Sequence, residues 1–495
     1  MAELEALQTW VQTEEGQKAL LLNSLRYFVR KVFGYVIAEH HDRIIRHFEE
    51  HQATLDLCPR GSGKTRIGTI GYAAWRALQN PNLRILIVSD TDDHAVRFLG
   101  TIKNAFEHSP LLKTLFGNLV GPKWTDHEIT LAGRTAILTE ATITALGMYS
   151  GAVTSGHYDI IVCDDLVNFK NSRTEGLRKL ASEWFKSTLK PTLIPGGEIH
   201  VLGTRYHYLD AYQMIIDELG YDTLVQPAII VDEQGRERSI WEAYMPLEDR
   251  TGSGGKVTDG LKTIKRDLGS VHFGLQYQND VALMKEGEIF HYEWFCYYDV
   301  EYDEEHEPWA VCDDGYRVRI KDLAKFGGVD PAVSKNDAAD FFTMAITGVE
   351  PKVAERLRRY FLLDIVRGKF TLGKRRQIVR DKWKQWGLRV VGIEDNGAQA
   401  DFITSLKEEF PEVRVAARTT THDKTARAYN RAGIVEARRV YVRRTMSAFV
   451  EELVAMPDGA HDDQFDGWDM SLRVSKMTAP GVLQSRPLPG AKTYR

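Results

Sequence analysis

The run Cys58-Pro59-Arg60-Gly61-Ser62-Gly63-Lys64-Thr65 has the composition of a loop that wraps an anion. A phosphate needs several backbone N–H groups converging on it. Glycines let the chain turn tightly enough to supply them, and the helix that follows adds its unpaired first amides. In such a loop Lys64 reaches the β- and γ-phosphates and Thr65 holds Mg2+. The standard pattern has glycine where this chain has Cys58, so the loop is a variant. Its flanks fit, with an apolar run at 55–58 before it and a helix-forming run at 66–78 after it. The stretch Tyr158-Asp159-Ile160-Ile161-Val162-Cys163-Asp164-Asp165 reads as a buried strand ending in two acids. At the C-terminal end of a parallel strand, Asp164 can hold the magnesium-bound water and Asp165 can polarise the water that attacks the γ-phosphate. Val201-Leu202-Gly203-Thr204 closes another strand, where the Thr204 hydroxyl can sense the γ-phosphate, although a lone Gly-Thr strand end is an ordinary turn.

A second set of acids lies further along. Gly328-Val329-Asp330-Pro331 closes one expected strand, Ile393-Glu394-Asp395-Asn396-Gly397 closes another, and His461-Asp462-Asp463 opens a helix that carries Asp466 three residues on. Each acid by itself reads as a solvated side chain or a helix cap. Together, three carboxylates on adjacent strands and a facing helix can hold two Mg2+ or Mn2+ ions, which clamp the attacking and leaving oxygens of a phosphodiester. Asp340 is a further possible ligand, whereas Asp364 is expected to face solvent or to pair with a basic neighbour. Between Lys352 and Arg389 thirteen Lys or Arg face three acids, with Trp383 and Trp386 nearby, and Arg438, Arg439, Arg443 and Arg444 form a second basic cluster. Such density tracks a phosphate backbone or forms a solvated basic helix, and both readings stay open.

The elements that must position these residues follow from length and periodicity. At roughly 150 residues per domain, 495 residues make one compact core improbable. A content of 43% hydrophobic and 27% charged residues is that of a folded globular chain. No apolar run is long enough for a membrane span, and the polar start argues against a signal peptide. The four cysteines form no C-x-x-C pair, which argues against a disulfide framework or a thiolate zinc site and fits a reducing cytoplasm. The net charge of -5 does not by itself point to nucleic acid. Residues 1–50 read as helical, from Leu25, Phe28, Val29 and Val32 at three- and four-residue spacing. Residues 51–245 alternate short apolar runs (55–58, 85–88, 160–163, 199–202) with helical stretches, the pattern of a mostly parallel sheet in a P-loop ATPase domain. Residues 246–320 read as a linker, with the glycines of TGSGGKVTDG and six acids in the nine residues 299–307. In residues 321–476, strands at 326–329, 341–349 and 360–366 precede a helix at 372–386 and a strand at 389–394, the order of an RNase H-like nuclease domain. Residues 477–495 read as a loose tail.

An ATPase followed by a metal nuclease in one chain resembles the large terminase subunit of tailed bacteriophages. The resemblance runs from about Phe28 to Lys476 and is carried by CPRGSGKT, IIVCDDL, VLGT, HFGLQYQND, EGEIF, GVDPA, GIEDNG, HDKTARA and HDDQFD. It implies that Arg60, Gly61, Ser62, Gly63, Lys64 and Thr65 bind ATP, that Asp164 holds Mg2+, that Asp165 is the catalytic carboxylate and that Thr204 couples hydrolysis to movement. It implies Asp330, Glu394 and Asp463 as nuclease metal ligands, with Asp462 and Asp466 as alternatives, and Lys424 and Arg427 as a basic pair beside them. It also implies double-stranded DNA, a portal protein and a small terminase subunit as partners, a homo-oligomeric ring on the capsid, and action in the host cytoplasm. One departure stands out: the family often has an arginine finger shortly before the acid strand, and this chain has no arginine between Arg134 and Arg173. Arg134, Arg205 or a neighbouring subunit is left to supply it. A helicase-like repair or restriction ATPase with a fused nuclease is the rival reading, and a non-catalytic DNA-binding protein that keeps both folds is a second.

Overall fold

The computed structural model describes residues 10–252, 255, 257–285, 288–331, 341–395, 399–419, 424–457, 459 and 462–476. The chain forms two compact units, Met1–Lys265 with Val271–Lys285, and Arg266–Ser270 with Glu286–Arg495.

The first unit is built on an eight-stranded sheet, with strands β1 (Ala53–Leu57), β2 (Ile85–Ser89), β3 (Val120–Trp124), β4 (Glu128–Leu131), β5 (Ile143–Gly147), β6 (Tyr158–Asp164), β7 (Leu193–Gly203) and β8 (Asp222–Val225). The order is β3-β4-β5-β2-β6-β7-β1-β8. From β5 to β8 every pairing is parallel, and the β3–β4 hairpin is antiparallel at one edge. Strands covered on both faces have no polar side to alternate with, which is why β2, ILIVS, is buried throughout. Asp56 is an exception on β1; its carboxylate is met at 3.0 Å by His47 Nδ1. The N-terminal helices Glu14–Asn23, Leu25–Val32 and Glu39–Glu50 bury Leu21, Leu25, Phe28, Val29, Ile44 and Phe48 in one core with Ile67, Ala73 and Ala74 from beyond the phosphate loop. They are therefore part of the first unit's packing. Two short hairpins follow the sheet, β9 (Ile229–Val231) with β10 (Glu237–Ser239) and β11 (Arg250–Thr251) with β12 (Val257–Thr258).

The second unit holds a nine-stranded sheet of β13 (Cys296–Tyr302), β14 (Pro308–Cys312), β15 (Arg317–Arg319), β16 (Ala324–Asp330), β17 (Phe342–Val349), β18 (Tyr360–Gly368), β19 (Val391–Glu394), β20 (Val415–Arg418) and β21 (Val440–Arg443). Its order is β15-β14-β13-β21-β18-β17-β16-β19-β20. The three antiparallel strands β16, β17 and β18, flanked by parallel β19 and β21, match the expected RNase H-like order. The helix Asp463–Ser475 packs on β16 so closely that a Cβ on Gly328 would lie 2.2 Å from Gly467 O. Glycine is required there by proximity, as at other helix-to-strand contacts where backbones nearly touch.

The stretch expected as a linker, 246–320, is divided. Its first part and Val271–Lys285 belong to the first unit, and β13, β14 and β15 extend the second unit's sheet. The acids at 299–307 sit on and around an antiparallel hairpin in which Tyr298 is buried and Asp299 exposed. Acids at the exposed positions and in the turn hide the alternation by which such a hairpin is read in sequence.

Candidate functional site

Three segments of the first unit meet where the parallel strands end. The phosphate loop leaves the C-terminal end of β1, Asp164 and Asp165 end β6, and Thr204 follows β7, which lies between β6 and β1. Brought together there, Lys64 Nζ donates to Thr204 Oγ1 at 2.8 Å and pairs with Asp165 Oδ2 at 3.1 Å. Thr204 Oγ1 in turn donates to Cys58 O at 3.2 Å, tying the strand end to the start of the loop. Gly61 and Gly63 have φ of +79° and +82°, which a side chain would strain, so the two glycines set the loop's curvature. Thr65 begins a π-helical turn, Thr65–Gly71, that continues as the helix Tyr72–Gln79.

Electrostatics at this point are those of a site built for charge. Lys64 is buried; burial opposes its charge, but Asp165 and Asp164 beside it hold its pKa above the usual lysine value. Burial, with Asp165 alongside, pushes the Asp164 carboxyl up to about 7, against the pull of Lys64 and of the Thr65 and Thr69 hydroxyls. Neither Asp164 oxygen has a well-formed hydrogen bond. A buried carboxylate left with open lone pairs next to a threonine hydroxyl is a donor set that fits a hard divalent cation. Asp165 sits in the left-handed region with φ of +47°, a conformation that aspartate tolerates better than most residues and that aims it back at Lys64.

Several residues that sequence reasoning missed hold the loop. His40 and His41 both bond Ser62 O, and Trp241 packs against both rings. Arg60, expected at the nucleotide, donates its backbone N–H to Gln276 O at 3.0 Å and its guanidinium to Gln276 Oε1 at 3.3 Å. Asn279 accepts from Arg205 N–H at 3.2 Å and donates to Gln226 O at 3.1 Å. The only sequence signal for this support was the stretch HFGLQYQND itself.

Neither arginine considered as a finger stands free at the phosphate loop. Arg205 is buried and forms a 3.2 Å ion pair with Asp210, while its Nη2 bonds His207 O, Tyr208 O and Gln213 Oε1. Arg134 reaches Thr142 Oγ1 at 3.5 Å, at the N-terminal end of β5 and so at the opposite sheet edge from the loop. Arg205→Ala is expected to lower stability by about 3 kcal/mol, because it strands the buried Asp210 carboxylate. Thermal unfolding checks this; a variant that kept its melting point and lost only ATP hydrolysis would restore the finger role.

In the second unit Asp330 ends β16 and Glu394 ends β19. The two strands are parallel and in register at Val329 and Ile393, which makes the acids neighbours on one sheet edge. Asp463 opens the facing helix and pairs with Arg367 of β18 at 3.1 Å. Asp466 is held by Lys424 at 2.5 Å and by Arg427 at 2.7 Å. Asp462 is likewise held by Lys424 at 2.7 Å, and Asp469, which sequence reasoning did not select, bonds Arg427 at 3.0 Å and Arg431 at 2.6 Å. The basic pair Lys424 and Arg427 therefore braces the helix through its acids. Among the described residues no three His, Cys, Asp or Glu group as a metal cage. Two carboxylates on adjacent strand ends still suit a magnesium-type ion, which keeps several waters. Asp340 and His461 lie outside the described residues.

Part of the basic run is paired with acids within the unit. Arg376 pairs with Glu409, Arg380 and Lys384 with Glu412, Arg359 with Glu350, and Lys382 with Asp364, which also accepts from Trp386 Nε1. Arg444 of the second cluster pairs with Asp299 and Asp313.

Comparison with known proteins bears on this unit directly. Residues 327–473 match the family described as Terminase RNaseH-like domain. The matched residues lie wholly within the second unit. The large subunit terminase of Enterobacteria phage T3 is 28% identical over 245 residues, which is 44% of this chain and 39% of that protein. The aligned region thus spans about two fifths of the curated relative. Among solved structures, the large terminase of a thermophilic bacteriophage covers 89% of this chain and 99% of its own at 10% identity and a TM-score of 0.49. That of bacteriophage HK97 covers 89% and 95% at 11% identity and a TM-score of 0.35. The chain is similar to large terminase subunits, and the residues matched by the family include Asp330, Glu394 and Asp463.

Proposed function

We propose that the chain is a viral DNA-packaging motor, in which the first unit hydrolyses ATP to translocate double-stranded DNA into a procapsid and the second cuts concatemeric DNA. The observation that carries this reading is Lys64, whose ammonium is shared between Asp165 and Thr204 at the end of a phosphate loop. Three strand ends thus converge on the one cation that a triphosphate would engage. In the reaction Lys64 and the loop amides hold the β- and γ-phosphates, Asp165 orients and polarises the attacking water, and Thr204 reports the γ-phosphate through its bond to Cys58 O. Thr65 and Asp164 would hold Mg2+, which supplies positive charge against the phosphate oxygens.

In the second unit Asp330 and Glu394, with Asp463 opposite, would hold Mg2+ or Mn2+ and so lower the barrier to phosphodiester attack. Double-stranded DNA, a portal protein, a small terminase subunit and further copies of the chain in a ring are the partners that this role needs, with the host cytoplasm as its place. Among the described residues no helix is long and apolar enough to cross a membrane.

Calorimetric titration of the full chain with ATPγS and with Mn2+ tests both centres, and assays of ATP hydrolysis and plasmid nicking follow. Uptake of both ligands is expected. Absence of both in folded protein would remove the reading, and capsid-free strand displacement on a forked duplex would favour the helicase-like rival.

A further inference from the structure

The phosphate loop is held from behind by two histidines. His40 Nε2 lies 2.9 Å and His41 Nε2 2.7 Å from the same atom, the Ser62 carbonyl oxygen, and both residues are 1% exposed. A carbonyl only accepts, so both Nε2 atoms must carry hydrogen and both oxygen lone pairs are used. For His41 the tautomer is fixed independently, because its Nδ1 is 3.0 Å from Ala38 N–H and must accept there. Burial disfavours the charged rings: it lowers the pKa of His40, and with His40 beside it His41 falls to about 4. Both residues therefore donate as neutral imidazoles.

Their effect on the loop follows from peptide geometry. A trans peptide is planar, so the Ser62 C=O and the Gly63 N–H point in opposite directions. When the two rings draw the carbonyl outward, the Gly63 amide must turn into the loop. We propose that His40 and His41 are positioning residues that lock the Ser62–Gly63 peptide with its N–H facing the bound triphosphate. The fit is close: a Cβ on Gly63 would stand 2.9 Å from His41 Nε2 and 3.2 Å from Trp241 Cζ3, so Gly63 leaves no room for the peptide to shift. Trp241, 7% exposed, packs edge-on against His41 with ring centres 4.8 Å apart, and Gln226 Nε2 donates to His40 O at 3.1 Å. The histidines sit on the helix Glu39–Glu50, which anchors in the hydrophobic core through Ile44, Ile45 and Phe48. The inference rests on nucleotide binding by this loop and adds to it the device that pre-orients an amide before phosphate arrives.

The test compares His40→Leu and His41→Leu with His41→Gln, whose side-chain amide can donate from nearly the Nε2 position. Full-length variants are titrated calorimetrically with ATPγS in the presence of Mg2+, steady-state KM and kcat for ATP are measured, and thermal unfolding is followed without nucleotide. Each leucine variant is expected to raise Kd and KM about ten-fold with kcat changed much less, the pattern of a lost binding geometry. The glutamine variant should recover most of the affinity, and the melting points should stay within a few degrees of one another. Wild-type affinity in both leucine variants would overturn the proposal, and so would a glutamine variant as impaired as the leucine one. Each single substitution leaves one donor to the Ser62 carbonyl in place. If the wild type itself bound no ATPγS, the nucleotide reading would fall and this inference with it.

Discussion

Lys64→Ala is expected to reduce ATP hydrolysis by more than about a thousand-fold, equivalent to roughly 4 kcal/mol of transition-state stabilisation. The size follows from where the ammonium sits. It is buried with its hydrogen bonds already directed at Asp165 and Thr204, so the charge reaches the phosphates in a water-poor site where it is weakly screened. Removing it does more than delete a contact. Asp164 and Asp165 remain side by side, and without the cation their mutual repulsion, together with burial, drives Asp164 further toward its protonated form. A protonated Asp164 is a poorer ligand for a divalent ion, so the same substitution should weaken metal-nucleotide uptake. Nicking of plasmid DNA should survive, because Asp330 and Glu394 belong to the other compact unit. Phosphate release and plasmid nicking measured on one preparation check both halves; a variant that lost nicking together with hydrolysis would contradict separate centres.

The sequence exposed those parts of the molecule whose physics is local. Strands covered on both faces must be apolar along their length, so β2 and β6 were visible, and their ends were visible as the points where acids or glycines appear. The phosphate loop needs glycine at two left-handed positions, and that requirement is printed in the residues. What stayed hidden depends on partners distant in the chain. His40 and His41 fall in a stretch that reads only as helical, and only the fold brings them to Ser62, more than twenty positions away. A count of Lys and Arg over 352–389 left a phosphate-tracking patch and a solvated basic helix both open, because acids that pair with part of the run, Glu409 and Glu412 among them, lie beyond the window. The HDD run left its register open because helix phase depends on where the helix begins; with the first helical residue at Asp463, Asp466 comes to face Lys424 and Arg427. Arg205 looked available until its burial against Asp210 was seen.

The register of that helix bears on the second large effect, a loss of at least about a hundred-fold in metal-dependent nicking for Asp330→Asn, with ATP hydrolysis retained. Asparagine keeps the shape of the side chain and one carbonyl oxygen, so the change isolates the negative charge that a hard cation requires. Asp330 and Glu394 end adjacent parallel strands in matching register, and loss of either charge halves the acid pair on that edge. The helix that presents Asp463 is set against β16 by Gly328 and Gly467, two residues before and four after the respective acids. This packing should persist in Asp330→Asn, because none of those backbone contacts involves the substituted carboxylate. The variant should therefore melt close to the wild type and fail in its response to Mn2+. Nicking at increasing Mn2+ concentration distinguishes the cases: a curve shifted to higher metal marks Asp330 as a ligand, whereas an unchanged curve with unchanged rate would remove it from the site and leave Glu394 and Asp463 to be tested without it.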